Sequence, residues 1–394
     1  MANLSTPRTA RNMSQNILPV ETPIEEETLP HYEPAQYFPV NIGDVFKARY
    51  QVTAKLGYGA YSTSWLCHDL RQGKFAVVKV STSLPKFPTA TERELKVYEH
   101  LANVKSAHPG QSLIRNLYDT FELQGIVGKH QCLVLQPMHM TVLEMMGLNS
   151  KPFNLDLLKM TLKRILLALD FLHSEAEVDD KMLDDLAKAE SEEPSPRKPI
   201  DASRTIYRSR RFRRPKGGRG DGLPVLCDFG EARIGKKHES GPFVQPHIYR
   251  APEIIFEMTW RSAVDIWNLA CLAWDLFEGQ HLFGDIFDES NSHDPFKHLA
   301  LMVALIGPPP EEFVKRSETT QQCFDSRGRF LFNLNYIADE ITPIPSTSLE
   351  ALEQRLPGHE KKLFLQFLRS MLKWLPEERR TAKQLLDDPW LGSC

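Results

Sequence analysis

Two glycines, a lysine and a glutamate early in the chain have the types and spacing that a phosphate-binding site requires. Gly57 and Gly59 lie in Leu-Gly-Tyr-Gly-Ala-Tyr-Ser between two strand-like runs, where the missing Cβ lets backbone N–H groups approach phosphate oxygens. Lys79 interrupts the apolar run Phe-Ala-Val-Val-Lys-Val, so its ammonium group must be paired or exposed. The helical periodicity of residues 91–101 places Glu94 where it could pair with Lys79. Taken singly, these features also fit an ordinary hairpin and a strand-edge lysine.

Two later motifs follow in the order and at the spacing that protein kinases use. Cys-Asp-Phe-Gly around Asp228 and Tyr-Arg-Ala-Pro-Glu ending at Glu253 complete the set of glycine loop, strand lysine, Asp-Phe-Gly and Ala-Pro-Glu. The chain therefore resembles the eukaryotic protein kinases over about residues 27–391. Within them it is similar to the SR-protein kinase family. The segments that carry this closer resemblance are Tyr-Phe-Pro-Val-Asn-Ile-Gly-Asp-Val-Phe at 37–46, Pro-Ser-Pro-Arg-Lys at 194–198 and Ile-Tyr-Arg-Ser-Arg at 206–210.

The resemblance implies an α+β, two-lobed protein kinase fold, with a small antiparallel β-sheet lobe and a larger, mainly α-helical lobe. We expect a disordered N-terminal tail over residues 1–35, the small lobe over 36–140 and the large lobe over 141–394. Residues 179–223 lack sustained apolar periodicity and run from acidic to strongly basic, so we expect a solvated, charged insert in the large lobe. The basic half of this insert, 204–219, fits a nuclear-import signal, an RNA contact or a linker without a fixed role. Its few aromatic side chains disfavour an RNA-stacking surface.

ATP and Mg²⁺ are the cofactors that the resemblance implies. Lys79 would hold the α- and β-phosphates with Glu94 orienting it, and Asp228 would bind the Mg²⁺ that bridges the β- and γ-phosphates. These three residues suffice for binding and not for transfer. Ser64 stands where kinases usually place an apolar valine over the adenine ring, so we expect weaker nucleotide binding than usual. The residues expected to form the nucleotide site are Leu56, Gly57, Gly59, Ser62, Ser64, Ala76, Lys79, Leu135, Gln136 and Met138.

The catalytic loop of the kinases has no counterpart in this sequence. After Phe-Leu-His-Ser-Glu-Ala-Glu-Val at 171–178 the chain has no His-Arg-Asp or equivalent. Phosphoryl transfer needs an Asp that orients and deprotonates the substrate hydroxyl, and an Asn that binds a second metal ion. The only local candidate is Asp-Asp-Lys-Met-Leu-Asp at 179–184, with Asp179 as the base and Asp184 in place of the asparagine. The alternative is a missing block of roughly 14 residues, judged from the motif order of the family.

Such a deletion should also affect the stability of the large lobe. By resemblance, Asp265 is a buried aspartate that normally accepts backbone N–H groups of the catalytic loop. Without that loop we expect an unpaired buried carboxylate, which costs about 3 to 5 kcal/mol. The hypothesis that follows is an alternative transcript or a mistaken exon boundary at Val178 and Asp179, in preference to an evolved pseudokinase. The resemblance also implies a buried ion pair between Glu253 and Arg379.

An acidic loop over residues 284–294 bears on the choice of substrate. Its carboxylates would together attract arginine-rich peptides, and SR-protein kinases have an acidic docking region for Arg-Ser repeats there. A merely solvated loop is the alternative. By resemblance, the substrates are serines of Arg/Ser-rich, splicing-factor-type proteins, with a role in regulating mRNA splicing. A further hypothesis is that Tyr-Arg-Ser-Arg-Arg at 207–211 occupies this groove as a pseudosubstrate. The residues proposed for docking are Asp285, Asp288, Glu289 and Asp294.

Composition restricts the remaining possibilities. The chain has 394 residues, a net charge of −3 and six cysteines without paired spacing, which argues for a reducing compartment and against zinc sites or disulfides. No apolar run approaches the roughly 18 residues of a membrane span. We expect a monomer of the cytoplasm and nucleus that does not bind nucleic acid directly. Three classes of function stay open: an SR-type protein serine kinase, a pseudokinase that binds ATP or Arg-Ser partners, and a small-molecule kinase, which Ala-Pro-Glu disfavours.

Overall fold

The chain is described here by a computed structural model. The described residues are 17–83, 90–138, 141–147, 151–174, 195–201, 203–210, 224–234, 238, 245–331 and 343–392. They form two compact units. The sheet unit contains the described residues of 17–107, 111–144 and 195–233, and the helical unit contains those of 108–110, 145–174 and 234–392.

The sheet unit is built on six antiparallel strands in the order β1-β2-β3-β4-β6-β5. β-Branched residues of β4, such as Val78 and Val80, fit the pleated surface and are fully buried. One face of the sheet packs them with Trp65, and helix α1 (Ala90–Ala102) belongs to the same unit. The strands are β1 (Val45–Phe46), β2 (Tyr50–Gly59), β3 (Ser62–Asp69), β4 (Lys74–Ser81), β5 (Leu117–Gln124) and β6 (Lys129–Leu135).

Part of the charged insert folds onto the sheet unit, which differs from the expectation of a solvated insert in the large lobe. β7 (Arg197–Pro199) and β8 (Thr205–Tyr207) form an antiparallel hairpin. Tyr207 is 4% exposed and packs edge-on against Trp65 at 6.0 Å between ring centroids. This hairpin was not predictable from the sequence because its two apolar residues, Ile206 and Tyr207, are too few to create a periodic pattern. Residues 179–194, 202 and 211–223 of the insert lie outside the described part of the chain.

The expected disordered tail is also wrong for residues 17–35. Glu25–Thr28 forms a 3-10 turn, and Glu26 is buried against the fully buried ammonium of Lys55. A buried ammonium group needs a partner of opposite charge, and the tail supplies it. The order of this segment thus follows from one lysine in β2, whose burial the sequence alone did not reveal.

The helical unit is organised around α5 (Ala263–Glu278), whose residues are mostly buried. α3 (Leu155–Ser174) packs against α5 and α11. Helix α2 (Val142–Gly147) includes the boundary between the two units. None of the helices in the described residues combines the length and the hydropathy that crossing a bilayer requires. The other helices are α4 (Pro252–Ile255), α6 (Pro295–Ile306), α7 (Glu311–Val314), α8 (Glu318–Cys323), α9 (Leu349–Leu352), α10 (Gly358–Met371), α11 (Ala382–Leu386) and α12 (Pro389–Gly392).

The predicted ion pair between Glu253 and Arg379 is present. The two nitrogens of the guanidinium lie 2.7 and 2.6 Å from the two carboxylate oxygens, and the side chains are 1% and 0% exposed. Arg379 also donates to the carbonyls of Lys373 and Ala263. The pair therefore joins the start of α4 to the start of α5 and to the chain after α10.

We expect Arg379→Ala to destabilise the helical unit by about 3 to 5 kcal/mol, because it leaves the buried Glu253 carboxylate without a partner. Urea unfolding followed by tryptophan fluorescence measures this, since Trp267 and Trp274 lie in α5. Arg369→Ala is the matched control because its pair with Glu350 is exposed and should cost no more than about 1 kcal/mol. Equal losses in the two variants would contradict the assignment of the buried pair as a structural tie.

Candidate nucleotide site

The site is centred on the ammonium group of Lys79, which lies between two carboxylates. Lys79 Nζ is 2.6 Å from Glu94 Oε2 and 3.1 Å from Asp228 Oδ1, so the predicted Lys79–Glu94 pair is present. Strand β4 supplies the lysine, α1 the glutamate and the segment after residue 224 the aspartate. The Glu94 side chain is 1% exposed, whereas that of Asp228 is 73% exposed. The buried glutamate therefore fixes the lysine, and the aspartate remains open to a ligand.

Electrostatics keep this lysine charged. Burial by itself lowers the pKa of Lys79, but the charges of Glu94 and Asp228 and their hydrogen bonds outweigh it and raise the pKa above its ordinary value. Lys79 is therefore an ammonium at neutral pH. A fixed positive charge next to an exposed carboxylate suits a phosphate group together with a divalent metal ion.

Asp228 is positioned by the residues on both sides of it. Two residues earlier, Leu226 forms a parallel bridge to residues 113–115, with the Leu226 N–H donating to the carbonyl of Leu113 at 2.7 Å. One residue later, Phe229 is 5% exposed and packs edge-on against Tyr98 of α1 at 5.4 Å. Asp228 itself has a φ of +64°, in the left-handed region that side chains other than glycine seldom adopt. Such local strain is typical of functional sites.

Arg93 contacts the segment of Asp228 and was not among the residues predicted for the site. Its Nε donates to the carbonyl of Gly230 at 2.9 Å, and its Nη2 lies 2.6 Å from Glu231 Oε1. Two adjacent side chains of helix α1 thus contact the site: Glu94 pairs with Lys79, and Arg93 bonds to the two residues that follow Phe229. In the sequence, Arg93 is visible only as a basic residue directly before the predicted Glu94. Its partners, Gly230 and Glu231, are far away in the sequence and become apparent only in the fold.

The glycine turn is the tip of the β2–β3 hairpin, where Gly59 pairs with Ser62. A Cβ atom at Gly57 would meet no heavy atom within 4 Å, so the space in front of this backbone is open. Tyr37 Oη donates to the carbonyl of Gly59 at 3.1 Å and thereby holds the turn from the N-terminal side. An open backbone, an ammonium and an exposed carboxylate in one unit fit the phosphates of ATP and a bound Mg²⁺.

Most of the other predicted nucleotide residues share the face of the sheet that carries Lys79. Ser64 lies directly opposite Lys79 in the β3–β4 register, and Leu135 lies opposite Val77. Leu56 packs with Ala54, Leu66 and Phe75 on the same face. Gln136, 2% exposed, and Met138, partly buried, follow β6 directly.

Ala76 was placed wrongly. Because side chains alternate along a strand, Ala76 and Lys79, three residues apart, point to opposite faces. Ala76 belongs to the core cluster with Trp65, Val78 and Val80, and Val77 is the neighbour that shares the face of Lys79. The correct alternation was readable in the sequence, since Val77 stands two residues before the lysine.

The acidic loop also differs from its expected form. Asp294 is the N-cap of α6 and accepts hydrogen bonds from the N–H groups of Phe296 and Lys297, so its carboxylate is already used. Asp288 accepts from Ser290 and Ser292 within its own turn, and the Ser290 hydroxyl helps to lower its pKa. Asp285, Asp288 and Glu289 are exposed. The loop therefore presents three exposed carboxylates in place of the four predicted docking residues.

The expected unpaired carboxylate at Asp265 is contradicted as well. Its side chain is 46% exposed, and its Oδ2 lies 3.0 Å from Nε2 of His173 at the end of α3. The segment proposed as a pseudosubstrate for the acidic loop also differs from its expected place. Its described residues, 207–210, pack within the sheet unit. The candidate base Asp179, with Asp184, lies outside the described residues.

Comparison with known proteins identifies the family. The model of the protein kinase domain matches residues 220–391. A serine/threonine protein kinase of Aspergillus fumigatus is 45% identical, over 98% of this chain and 95% of its own length. Serine/threonine-protein kinase SRPK of Physarum polycephalum is 30% identical, over 93% of this chain and 92% of its own length. The crystal structure of a kinase domain has a TM-score of 0.62 at 20% identity and covers 90% of this chain and 99% of that one, which supports the fold.

The chain belongs to the protein kinase family, with a two-lobed fold of an antiparallel sheet lobe and a helical lobe. By homology it is of the serine/threonine kinase type that includes the SRPK proteins. Protein kinases use ATP, and typically Mg²⁺, as this site would require.

We expect Arg93→Ala to reduce the gain in ATP affinity that Mg²⁺ provides by about three- to tenfold, because Gly230 and Glu231 lose their contacts to α1 and the segment of Asp228 is held less firmly. Titrations of ATP with and without Mg²⁺ measure this gain. Lys96→Ala, an exposed position on the same helix, is the control. A result for Arg93→Ala equal to that of the control would show that Arg93 does not position Asp228.

Proposed function

We propose that this chain binds Mg·ATP in its sheet unit in the manner of an SRPK-type protein kinase. The observation that carries the proposal is the Lys79 ammonium, fixed 2.6 Å from Glu94 and 3.1 Å from Asp228. Lys79 would bind the α- and β-phosphates, Glu94 would orient it, and Asp228 would be the metal ligand. The open backbone at Gly57 supports the same assignment.

We propose serines of Arg/Ser-rich, splicing-factor-type proteins as the partners and substrate class. The relative from Physarum polycephalum is named SRPK, and Asp285, Asp288 and Glu289 give the helical unit an exposed acidic loop. Several carboxylates together attract guanidinium groups, both at long range and in bidentate contacts. The same proposal assigns the protein, as a monomer, to the cytoplasm and nucleus.

The sequence lacks the His-Arg-Asp motif that kinases use for the transfer step. Transfer to serine needs a carboxylate at the hydroxyl and a second metal-binding side chain, normally the Asp and Asn of the catalytic loop. At this point the sequence offers only the run that begins at Asp179 and ends at Asp184. We therefore propose that this chain binds Mg·ATP and Arg/Ser-rich segments without efficient transfer. The competing function is an active serine kinase in which Asp179 acts as the base.

The binding proposal predicts that Asp228→Ala weakens Mg·ATP binding by about tenfold or more, a change of ~1.4 kcal/mol, because the exposed metal ligand is lost. Isothermal titration of the full chain measures the affinity, and circular dichroism checks that both proteins are folded. Asp285→Ala, which removes an exposed carboxylate of the helical unit, is the control for the change in charge. Unchanged affinity in Asp228→Ala would refute the assigned site.

The transfer proposal is tested with labelled ATP and an Arg-Ser repeat peptide. We expect no transfer by this chain, and transfer by a variant that carries a His-Arg-Asp-to-Asn catalytic loop inserted between Val178 and Asp179. Asp228→Ala in the variant with the inserted loop should abolish that transfer. Transfer by the chain without the inserted loop that disappears in Asp179→Asn would instead establish the competing function.

A further inference from the structure

The N-terminal segment and the insert hairpin are bound to each other on the sheet unit. We call residues 17–37 the strap. The Leu18 N–H donates to the carbonyl of Arg197 at 2.9 Å, and Lys198 Nζ donates to the carbonyls of Val20 and Thr22 at 3.0 and 3.2 Å. Lys198 also lies 2.7 Å from Glu27 Oε2. The hairpin therefore fixes the strap along much of its length.

The far end of the strap contacts the glycine turn of the nucleotide site. Arg204 Nη2, in the hairpin, donates to the carbonyls of Pro34 and Tyr37 at 2.6 and 2.7 Å. Tyr37 in turn donates its hydroxyl to the carbonyl of Gly59 at 3.1 Å. A continuous series of hydrogen bonds thus leads from the hairpin through the strap to the backbone of the glycine turn.

Three consecutive glutamates of the strap meet only two buried lysines. Glu26 contacts Lys55, whose side chain is 0% exposed, and Glu27 contacts Lys198, whose side chain is 2% exposed. Glu25 is 3.7 Å from Lys55 and accepts a hydrogen bond from the hydroxyl of Ser209. Ser209 thus supplies the hydrogen-bond donor for the one carboxylate that has no lysine of its own.

The backbone at Glu25 adds to the sensitivity of this contact. Its φ is +54°, in the left-handed region, and such a conformation persists only where neighbouring contacts hold it. The Glu25 side chain is contacted by Lys55 and Ser209, and its carbonyl accepts a hydrogen bond from the Thr28 hydroxyl at 2.7 Å. Loss of the Ser209 contact would leave the Glu25 carboxylate without that hydrogen-bond donor. It would also weaken the contacts that hold the left-handed backbone of Glu25.

The sequence around Ser209 has the form that an Arg/Ser-directed protein kinase recognises. Ser209 stands between Arg208 and Arg210, and Arg208 is exposed. The hairpin has three paired residues in each strand, and Ser209 is a partly buried residue that follows the end of its second strand. Fraying at the end of so short a strand makes the serine accessible to a modifying enzyme.

We propose that Ser209 is a phosphorylation site for an Arg/Ser-directed protein kinase, and that its phosphorylation releases the strap from the glycine turn. In the modification the Ser209 oxygen bonds to the γ-phosphorus of ATP while the bond from that phosphorus to the β-phosphate oxygen breaks. ADP leaves, and the hydroxyl proton passes to the base of the modifying kinase. The effect on nucleotide binding rests on the proposed Mg·ATP site, whereas the release of the strap does not.

The physical effect of the phosphate follows from the charges around it. A phosphoserine carries a charge of about −1.5 to −2 and no longer has the proton that Glu25 accepted. It repels the three glutamates and competes with Glu25 for Lys55. The strap then loses its attachment at Glu25. The proposal requires this displacement to extend along the strap to Tyr37, which Arg204 also holds, so that the glycine turn loses its hydrogen bond at Gly59. Affinity for ATP should fall as a consequence.

The experiment incubates the full chain with an active Arg/Ser-directed kinase and ATP, and locates the phosphate by mass spectrometry. We expect modification at Ser209 and its loss in Ser209→Ala. Hydrogen exchange of residues 18–37 should then be faster in the phosphorylated protein by about tenfold, and ATP affinity lower by about three- to tenfold. An Arg-Ser peptide in the same reaction shows that the enzyme is active, so an unmodified Ser209 beside a modified peptide would overturn the proposal.

A pair of variants separates charge at Ser209 from charge elsewhere on the hairpin. Ser209→Glu should accelerate exchange in residues 18–37, whereas Ser203→Glu should not, because Ser203 lies in the exposed turn of the same hairpin and bonds to Asp201. Equal exchange in the two variants, or phosphorylation without faster exchange, would overturn the proposal. If the unmodified chain does not bind ATP, the proposed function fails, while the exchange measurement still decides whether Ser209 controls the strap.

Discussion

The need to neutralise one partly buried ammonium group sets the arrangement of the nucleotide site. The Lys79 side chain is 15% exposed and its neighbours along the strand, Val78 and Val80, are apolar, so a charge there is stable only with partners of opposite sign. Glu94 fills this need from the buried side and Asp228 from the exposed side. The position of α1, the direction of the Asp-Phe-Gly segment and the left-handed backbone at Asp228 all follow from bringing these two carboxylates to one nitrogen. Arg93 then ties the same helix to the same segment a second time.

On the opposite face of the sheet, too, a buried ammonium group needs a carboxylate partner. Trp65 packs on that face with Tyr207 of the hairpin, and Lys55, paired with Trp65 in the β2–β3 register, is completely buried there. Its charge requires Glu26, as that of Lys198 requires Glu27. Neither the strap nor the hairpin could bury its own charged groups without the other, so both are ordered together. The glycine turn lies at the end of the β2–β3 hairpin between these two faces and is therefore sensitive to both.

The parts of this structure that the sequence predicted are those with motifs or strong periodicity. The pair of Lys79 and Glu94, the pair of Glu253 and Arg379 and the two-lobed kinase fold were all readable from such patterns. The ordered tail and the hairpin were not, because they depend on single buried charges in β2 and β7 whose partners lie far away in the sequence. Asp294 was misjudged for a local reason: an Asp directly before Pro and an apolar run is the signature of a helix cap, and that reading competes with a docking role. Ala76 was misplaced by one residue of strand alternation.

The surroundings of Asp265 bear on whether binding can persist without a catalytic loop. A deletion beside a buried carboxylate would cost several kcal/mol, which is a large share of the 5 to 15 kcal/mol that typically stabilises a domain, as a rough range. Asp265 does not meet that description, because nearly half of its side chain is exposed and His173 is its partner. The residues that hold the nucleotide site belong instead to the sheet unit, where Leu226 is bonded to residues 113–115 and Phe229 is buried against α1. Since these contacts involve none of the residues between Ser174 and Ser195, the groups of the proposed nucleotide site do not depend on a catalytic loop for their positions.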